Sequence, residues 1–143
     1  MGAEPTAVDA ALRALRHRDL STRELEERLR AKGFDEAERN DAVATLERTG
    51  LLDDVRFAEW RARSLAARGA GDRAVRHALA LAGVPGDVVE QALEALEPEH
   101  ERATAIVSRR GTGPKTTRYL RAKGFSEDVV AGVVAASSGD ELG

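Results

Sequence analysis

The sequence predicts an all-α protein, and three observations support that prediction. Alanine, leucine, arginine and glutamate dominate the 143 residues, while aromatic residues make up only 3%. The four common residues favour helices, whereas the residues that favour strands are scarce. Apolar residues recur at helical spacing along the chain. The third observation is a repeated motif, because repeats of a few dozen residues are typical of helical arrays.

The repeated motif marks the ends of three helices. Leu29-Arg-Ala-Lys-Gly-Phe34 returns as Leu120-Arg-Ala-Lys-Gly-Phe125, and a weaker copy is Leu79-Ala-Leu-Ala-Gly-Val84. Each glycine follows an amphipathic run, and a glycine just past a helix end supplies the left-handed conformation that stops the helix. A new helix start follows each copy, with residues suited to a helix N-terminus. These residues are Asp35, Asp87 and Ser126.

Two helices are expected before each of these starts. The helices that end in the motif begin at Ser21, where Glu24 completes a capping box, near Asp72, and at Gly113-Pro114. One further helix precedes each of them, with an apolar face at helical spacing. These faces are Val8, Ala11, Leu12 and Leu15; then Phe57, Ala58, Ala62 and Leu65; then Ala103, Ile106 and Val107.

The sequence therefore predicts nine helices in three tandem three-helix repeats, at residues 6–50, 51–97 and 98–137. Small units stacked in series form an elongated, curved array. The tail, residues 137–143, is expected to be disordered.

Charge is sorted along the chain, although the net charge is only −3. Basic blocks coincide with the first two helices of each repeat, and acidic blocks mainly with the third. The densest basic block, residues 102–123, carries seven basic residues and no acidic one. Aligned repeats would form a basic ridge that binds a phosphate backbone or an acidic protein face in a salt-sensitive way. The alternative is a solvated surface of paired charges.

The partner-binding residues predicted on the basic ridge are Arg61, Arg63, Arg68, Arg73, Arg76, Arg109, Arg110, Lys115, Arg118, Arg121 and Lys123. Two aromatic residues have open alternatives. We expect Trp60 to join Phe57 in the core, with contact to a partner at the core edge as the alternative. We expect Tyr119 to pack beside Leu120, with stacking on a base as the alternative.

The sequence offers no pattern typical of an enzyme or of a cofactor or metal site. The chain has no cysteine, which excludes disulfides and fits a reducing compartment, so a cytoplasmic location is expected. No run is apolar enough to cross a membrane, and no secretory signal is visible. Asp53 and Asp54 precede a helix, where capping is the expected role rather than catalysis. The three histidines lie in different repeats, at spacings unlike those of metal ligands.

Several segments together resemble one protein family. Residues 50–58, Gly-Leu-Leu-Asp-Asp-Val-Arg-Phe-Ala, resemble the Leu-(Leu/Ile)-Asp-Asp-x-Arg-(Phe/Tyr)-Ala signature of the RecX family of bacterial recombination regulators. Residues 69–79 resemble the family's Gly-x-Gly-x-x-x-(Ile/Val)-x-x-x-Leu run, and residues 21–25 its Ser-x-x-Glu-Leu element. The Lys-Gly-Phe motif also matches. The resemblance covers residues 7–135; Val55 departs from the acidic residue usual at its position.

The resemblance implies a fold of three tandem three-helix repeats and a partner. The implied partner is the RecA recombinase polymerised on single-stranded DNA, whose ATPase, strand-exchange and SOS-coprotease activities such a regulator inhibits. It also implies a monomer with no membrane partner, and it is compatible with weak nonspecific binding of single-stranded DNA. The alternative is a helical DNA-binding protein that acts directly on nucleic acid. Base-reading side chains are scarce, however, since Asn40 and Gln91 are the only amides.

Overall fold

A computed structural model of the chain describes the backbone of residues 4–142 and the side chains of residues 4–136. This part of the chain contains nine α-helices and no strand, which confirms the all-α prediction. The helices are α1 Ala7–His17, α2 Thr22–Ala31, α3 Glu36–Arg48, α4 Asp54–Ala67, α5 Asp72–Leu81, α6 Gly86–Glu94, α7 Glu99–Arg110, α8 Pro114–Ala122 and α9 Glu127–Leu142. Among the described residues, no helix has the length and apolar character needed to cross a membrane.

The helices pack in three consecutive groups of three. In each group the first helix packs against the third, and the second helix contacts both. Each group also has its own cluster of buried apolar side chains. We call α1–α3 unit 1, α4–α6 unit 2 and α7–α9 unit 3. Three small cores thus replace the single core of a compact domain.

The glycine of the repeated motif ends the second helix of every unit as predicted. In unit 3, Gly124 has φ 89°, and the N–H of Phe125 donates to the carbonyl oxygen of Leu120 at 3.1 Å. Gly33 and Gly83 also have positive φ angles, 95° and 81°, and the same hydrogen-bond pattern follows them. The apolar residue after the glycine folds back onto the helix, which fixes the turn into the third helix.

Three expectations about individual segments are wrong. Leu12 is 37% exposed, because the buried face of α1 is made of small residues that let α1 lie close to α3. These residues are Ala7, Ala10, Ala11 and Ala14. Trp60 is 47% exposed rather than part of the core. The tail that was expected to be disordered continues α9 as far as Leu142, and Gly143 lies outside the described residues.

The two junctions between units use the same arrangement. The start of α2 meets the end of α5, where Ser21 Oγ donates to the carbonyl oxygen of Ala82 at 2.5 Å. The start of α5 meets the end of α8, where the N–H of Gly71 donates to the carbonyl oxygen of Lys123 at 2.9 Å. The second helices of neighbouring units therefore follow each other head to tail, so that the N–H groups of one face the carbonyl groups of the next.

A carboxylate from the following unit caps the helix at each junction. Asp54, the first residue of α4, accepts the N–H of Thr22 at 2.8 Å. Glu99, the first residue of α7, accepts the N–H of Asp72 at 2.8 Å. Each of these carboxylates thus stabilises the exposed donors of a helix in the preceding unit.

Candidate functional site

A basic cleft lies where unit 2 meets unit 3. Its cavity measures about 310 Å³ and is formed by the ends of α4 and α7 and by one side of α8. The lining residues are Ala67, Arg68, Gly69, Ile106, Arg109, Arg110 and Tyr119. Lys123 stands at the rim, because a methyl group built on Gly69 would lie 3.5 Å from both Lys123 Cε and Tyr119 Oη. The structure thus brings together side chains from three helices and two units.

Four cations surround this cleft: Arg68, Arg109, Arg110 and Lys123. None of these cleft cations forms an ion pair with a carboxylate among the described side chains, and no acidic residue lines the cavity. Arg109 and Arg110 occupy the last turn of α7, where the partial negative charge of the helix end favours them. The donor groups that remain are available for an anionic partner.

The ring of Tyr119 fixes one of the cleft cations. The guanidinium carbon of Arg110 lies 3.7 Å from the centre of this ring, in the geometry of a cation–π interaction, which contributes about 0.5–1 kcal/mol at exposed sites. Tyr119 is half-buried and packs against the unit 3 core, as expected from its position beside Leu120. The contact with Arg110 is an additional role that the sequence did not indicate.

The cleft is held together by a polar network beneath it. Arg102, whose side chain is 10% exposed, forms an ion pair with Asp72 and donates to the carbonyl oxygen of Ala70 at 2.9 Å. Glu99 accepts hydrogen bonds from Asp72 in unit 2 and from Ser126 at the start of α9. The network therefore joins unit 3 to unit 2 next to the cleft.

Two residues of the predicted basic ridge are engaged elsewhere. Arg76 Nε donates to Glu90 at 2.8 Å, and Arg121 Nε donates to Glu127 at 3.0 Å. The hydrogen bond from Arg76 lowers the pKa of the Glu90 carboxyl, and the same bond raises the pKa of Arg76. Both arginines are thus paired with the acidic third helix of their own unit. This agrees with the alternative interpretation of the charge pattern, a solvated surface of paired charges.

The remaining ridge residues lie outside the cleft. Arg63, Arg73, Lys115 and Arg118 are exposed, while Arg61 is half-buried. Arg73 stands at the junction, where its backbone N–H donates to the carbonyl oxygen of Gly124 at 3.0 Å. The structure therefore gathers four of the eleven predicted residues at one place and distributes the others around units 2 and 3.

The residues of the Asp-Asp-x-Arg signature hold the first junction and the loop before α4. Asp53 Oδ1 accepts the N–H groups of Val55 and Arg56, which is the capping role that the sequence indicates. Asp54 caps α2 of unit 1. Arg56 donates to the carbonyl oxygens of Gly50 and Leu51 at 2.9 and 3.2 Å. All three side chains are therefore occupied by backbone groups.

Replacing Asp53 by alanine is expected to lower the free energy of unfolding by about 1 kcal/mol, the usual cost of losing an N-cap side chain. Urea unfolding monitored by circular dichroism measures this change. Asp53→Asn keeps the acceptor oxygen and should recover most of the loss. Equal losses in both variants would contradict the capping role.

Other clusters and cavities fit a site less well. The described residues include no group of three potential metal ligands. A larger cavity of about 560 Å³ beside Gly33 is lined by Glu4 and Glu38 as well as Arg13 and Lys32, so its charges balance. Another cavity is lined by two arginines and no acidic residue, but one of them, Arg121, is already paired with Glu127. The cleft between units 2 and 3 gathers more cations, and none of them forms an ion pair with a carboxylate among the described side chains.

Two models of protein families match this chain. The model described as "RecX, first three-helix domain" matches residues 7–46, and the model described as "RecX, second three-helix domain" matches residues 53–93. Together these matches cover more than half of the chain. The chain belongs to the RecX family.

Relatives along the whole length agree with this assignment. The Regulatory protein RecX of Halorhodospira halophila is 35% identical over 98% of this chain and 94% of the relative. The Regulatory protein RecX of Chromohalobacter salexigens is 34% identical over 92% of this chain and 93% of the relative. Both relatives carry the name of a regulatory protein.

A solved structure shares the fold. The crystal structure of RecX from Lactobacillus salivarius superposes with a TM-score of 0.79, covering 92% of this chain and 94% of that one. At 21% sequence identity this likeness shows the fold alone. The RecX fold is therefore retained while most side chains differ.

Proposed function

We propose that this RecX protein binds the RecA recombinase filament on single-stranded DNA and inhibits its ATPase, strand-exchange and SOS-coprotease activities. Membership of a family of regulatory proteins supports the regulatory role. The observation that carries the binding role is the cleft, where four cations without carboxylate partners converge. The phosphates of single-stranded DNA in such a filament offer the complementary charge.

The arrangement of units suits a partner with repeated subunits. Three units joined in series present several surfaces along one chain. Separate weak contacts on linked surfaces combine into strong binding, because the second contact forms at a high effective concentration. A regulator of this form can therefore hold several neighbouring subunits of a filament without a deep interface on any one of them.

The DNA-dependent ATP hydrolysis rate of the host's RecA tests this proposal. We expect the wild-type protein to lower the rate at substoichiometric amounts, and less so at higher salt. The double variant Arg68→Ala/Arg109→Ala should need about tenfold more protein for the same inhibition, which corresponds to about 1.4 kcal/mol of lost binding free energy.

Arg76→Ala is the matched control for this experiment. It removes the same kind of side chain from unit 2, but one that Glu90 already engages, so its inhibition should stay close to wild type. Inhibition by the double variant equal to that of wild type would remove the cleft from the proposal. An unchanged hydrolysis rate with the wild-type protein, and no co-sedimentation with filaments, would overturn the function itself.

A further inference from the structure

The outer face of α4 carries an exposed aromatic residue between basic ones. Trp60 is the single tryptophan of the chain and is 47% exposed. Arg56, Arg63 and Ala67 are also exposed and lie four residues before it and three and seven residues after it. At 3.6 residues per turn these positions share one face of the helix. We call these four residues the α4 stripe.

The α4 stripe leads directly into the basic cleft. Its last residue, Ala67, lines the cleft, and Arg68 follows it as a cleft cation. Trp60 and Ala67 are separated by about 10 Å along the helix axis, which is the rise of about three stacked nucleotides. The exposed ring and the cleft cations therefore lie at the two ends of one short track.

The cations along the track have no carboxylate partner among the described side chains. Arg63 forms no ion pair among the described residues, and neither do the cleft cations. Arg56 is held by two backbone carbonyl oxygens, so it keeps its charge at a fixed place on the stripe. Glu59, on the adjacent face of α4, is half-buried. The stripe therefore contributes Arg56 and Arg63, and the cleft adds four further cations.

We propose that the α4 stripe and the cleft form a binding track for single-stranded nucleic acid, with a base stacked on Trp60 and a phosphate in the cleft. A single strand exposes the faces of its bases, and stacking on an aromatic side chain is worth about 1–3 kcal/mol per base. Arginine donors match phosphate oxygens. An acidic peptide would pair with the cations equally well, but it would not require the exposed ring of Trp60.

The track binds without reading sequence. No asparagine or glutamine lies between residues 56 and 68 or between residues 99 and 123, so the side chains that read adenine edges are absent from its walls. The track deepens the proposed function, on which its biological setting rests, by naming the component of the filament that the cleft contacts. It predicts binding to a single strand in the absence of recombinase.

The single tryptophan makes the test direct, since the fluorescence of the full-length protein reports Trp60 alone. We expect an oligothymidine strand to quench this fluorescence and to bind more weakly as salt rises. Arg68→Ala/Arg109→Ala should raise the dissociation constant about tenfold, which corresponds to about 1.4 kcal/mol. Arg16→Ala, which removes an exposed arginine from α1 of unit 1, should leave the constant unchanged.

Two further experiments separate the contribution of base stacking to binding from the contribution of phosphate contacts. An abasic strand of equal length should bind without quenching Trp60, because it offers phosphates alone. Trp60→Ala, monitored by the anisotropy of a labelled strand, should weaken binding at least fivefold, since stacking is worth about 1–3 kcal/mol. Circular dichroism of this variant checks that it is folded.

Two outcomes would overturn the track. If polyglutamate of matched charge bound as tightly as the strand and quenched Trp60 equally, the surface would be one for an acidic protein segment. If the strand failed to bind while the protein still inhibited the recombinase, the track would be wrong and the proposed function would stand. Quenching without inhibition would support the track and count against the proposed function.

Discussion

Replacing Gly124 by alanine is expected to lower the free energy of unfolding by about 2–5 kcal/mol. The residue has φ +89°, which costs an L-amino acid about 1–2 kcal/mol. Its new methyl group would also stand 2.5 Å from Ala74 Cβ and 2.7 Å from Ala74 N in the neighbouring unit. Relief of such overpacking requires backbone shifts that cost about 1–3 kcal/mol more. Urea or thermal unfolding measures the sum.

The same change at Gly33 is the matched control. Gly33 occupies the equivalent place in unit 1 with φ +95°, but an added methyl group there meets nothing within 4 Å. Gly33→Ala should therefore show the conformational cost alone, about 1–2 kcal/mol. Equal losses at the two glycines would contradict close packing at the junction between units 2 and 3.

Replacing Glu99 by alanine should have the second-largest effect on stability, a loss of about 2–3 kcal/mol. Its carboxylate accepts the N–H of Asp72 at 2.8 Å, the N–H of Ser126 at 3.2 Å and the hydroxyl of Ser126 at 2.8 Å. Hydrogen bonds to a charged group contribute about 1.5–3 kcal/mol, and these three share one carboxylate, so their losses do not simply add.

Glu101→Ala provides the comparison for Glu99. Glu101 lies in the same first turn of α7 but is exposed. Its removal should cost only the interaction of a carboxylate with the helix N-terminus, about 0.3–1 kcal/mol. Because Glu99 also joins the two units that form the cleft, its loss should weaken partner binding as well. A Glu99 variant as stable as the Glu101 variant would contradict the double capping role.

Local signals explain why the helices were predicted from the sequence. The capping box at Ser21 and Glu24, the proline at the first position of α8, and the glycine at the end of α8 all act within one turn of a helix. Such signals depend on neighbours along the chain and not on the tertiary fold. The helix starts and stops were therefore accessible to sequence analysis.

The position of Trp60 shows the limit of a spacing argument. Trp60 lies three residues after Phe57, which suggested a shared face. The buried positions of α4 centre between Phe57 and Ala62, and Trp60 lies roughly 130° from that centre at 100° per residue. The whole set of apolar positions, rather than one pair, sets the direction of the core. The exposed stripe was thus present in the sequence but not recognised.

The junctions and the cleft depend on contacts between distant residues. Glu99 and Asp72 are 27 residues apart, and Arg23 meets the carbonyl oxygen of Leu81 at a separation of 58. No repeat or capping pattern specifies such pairs. The charge blocks indicated which helices are basic, but the ion pair between Arg76 and Glu90 shows that block charge does not tell which cations are free.

The separate cores have a mechanical consequence. Deforming a well-packed core costs several kcal/mol, because its side chains interdigitate. The junctions between units have no apolar core of their own and are held mainly by polar contacts at helix ends, such as those of Ser21 with Ala82 and Gly71 with Lys123, beside the close approach of Gly124 to Ala74. Each such contact contributes only about 1 kcal/mol. The molecule is therefore stiffer within each unit than between units, so the angle between neighbouring units can change without the loss of a core.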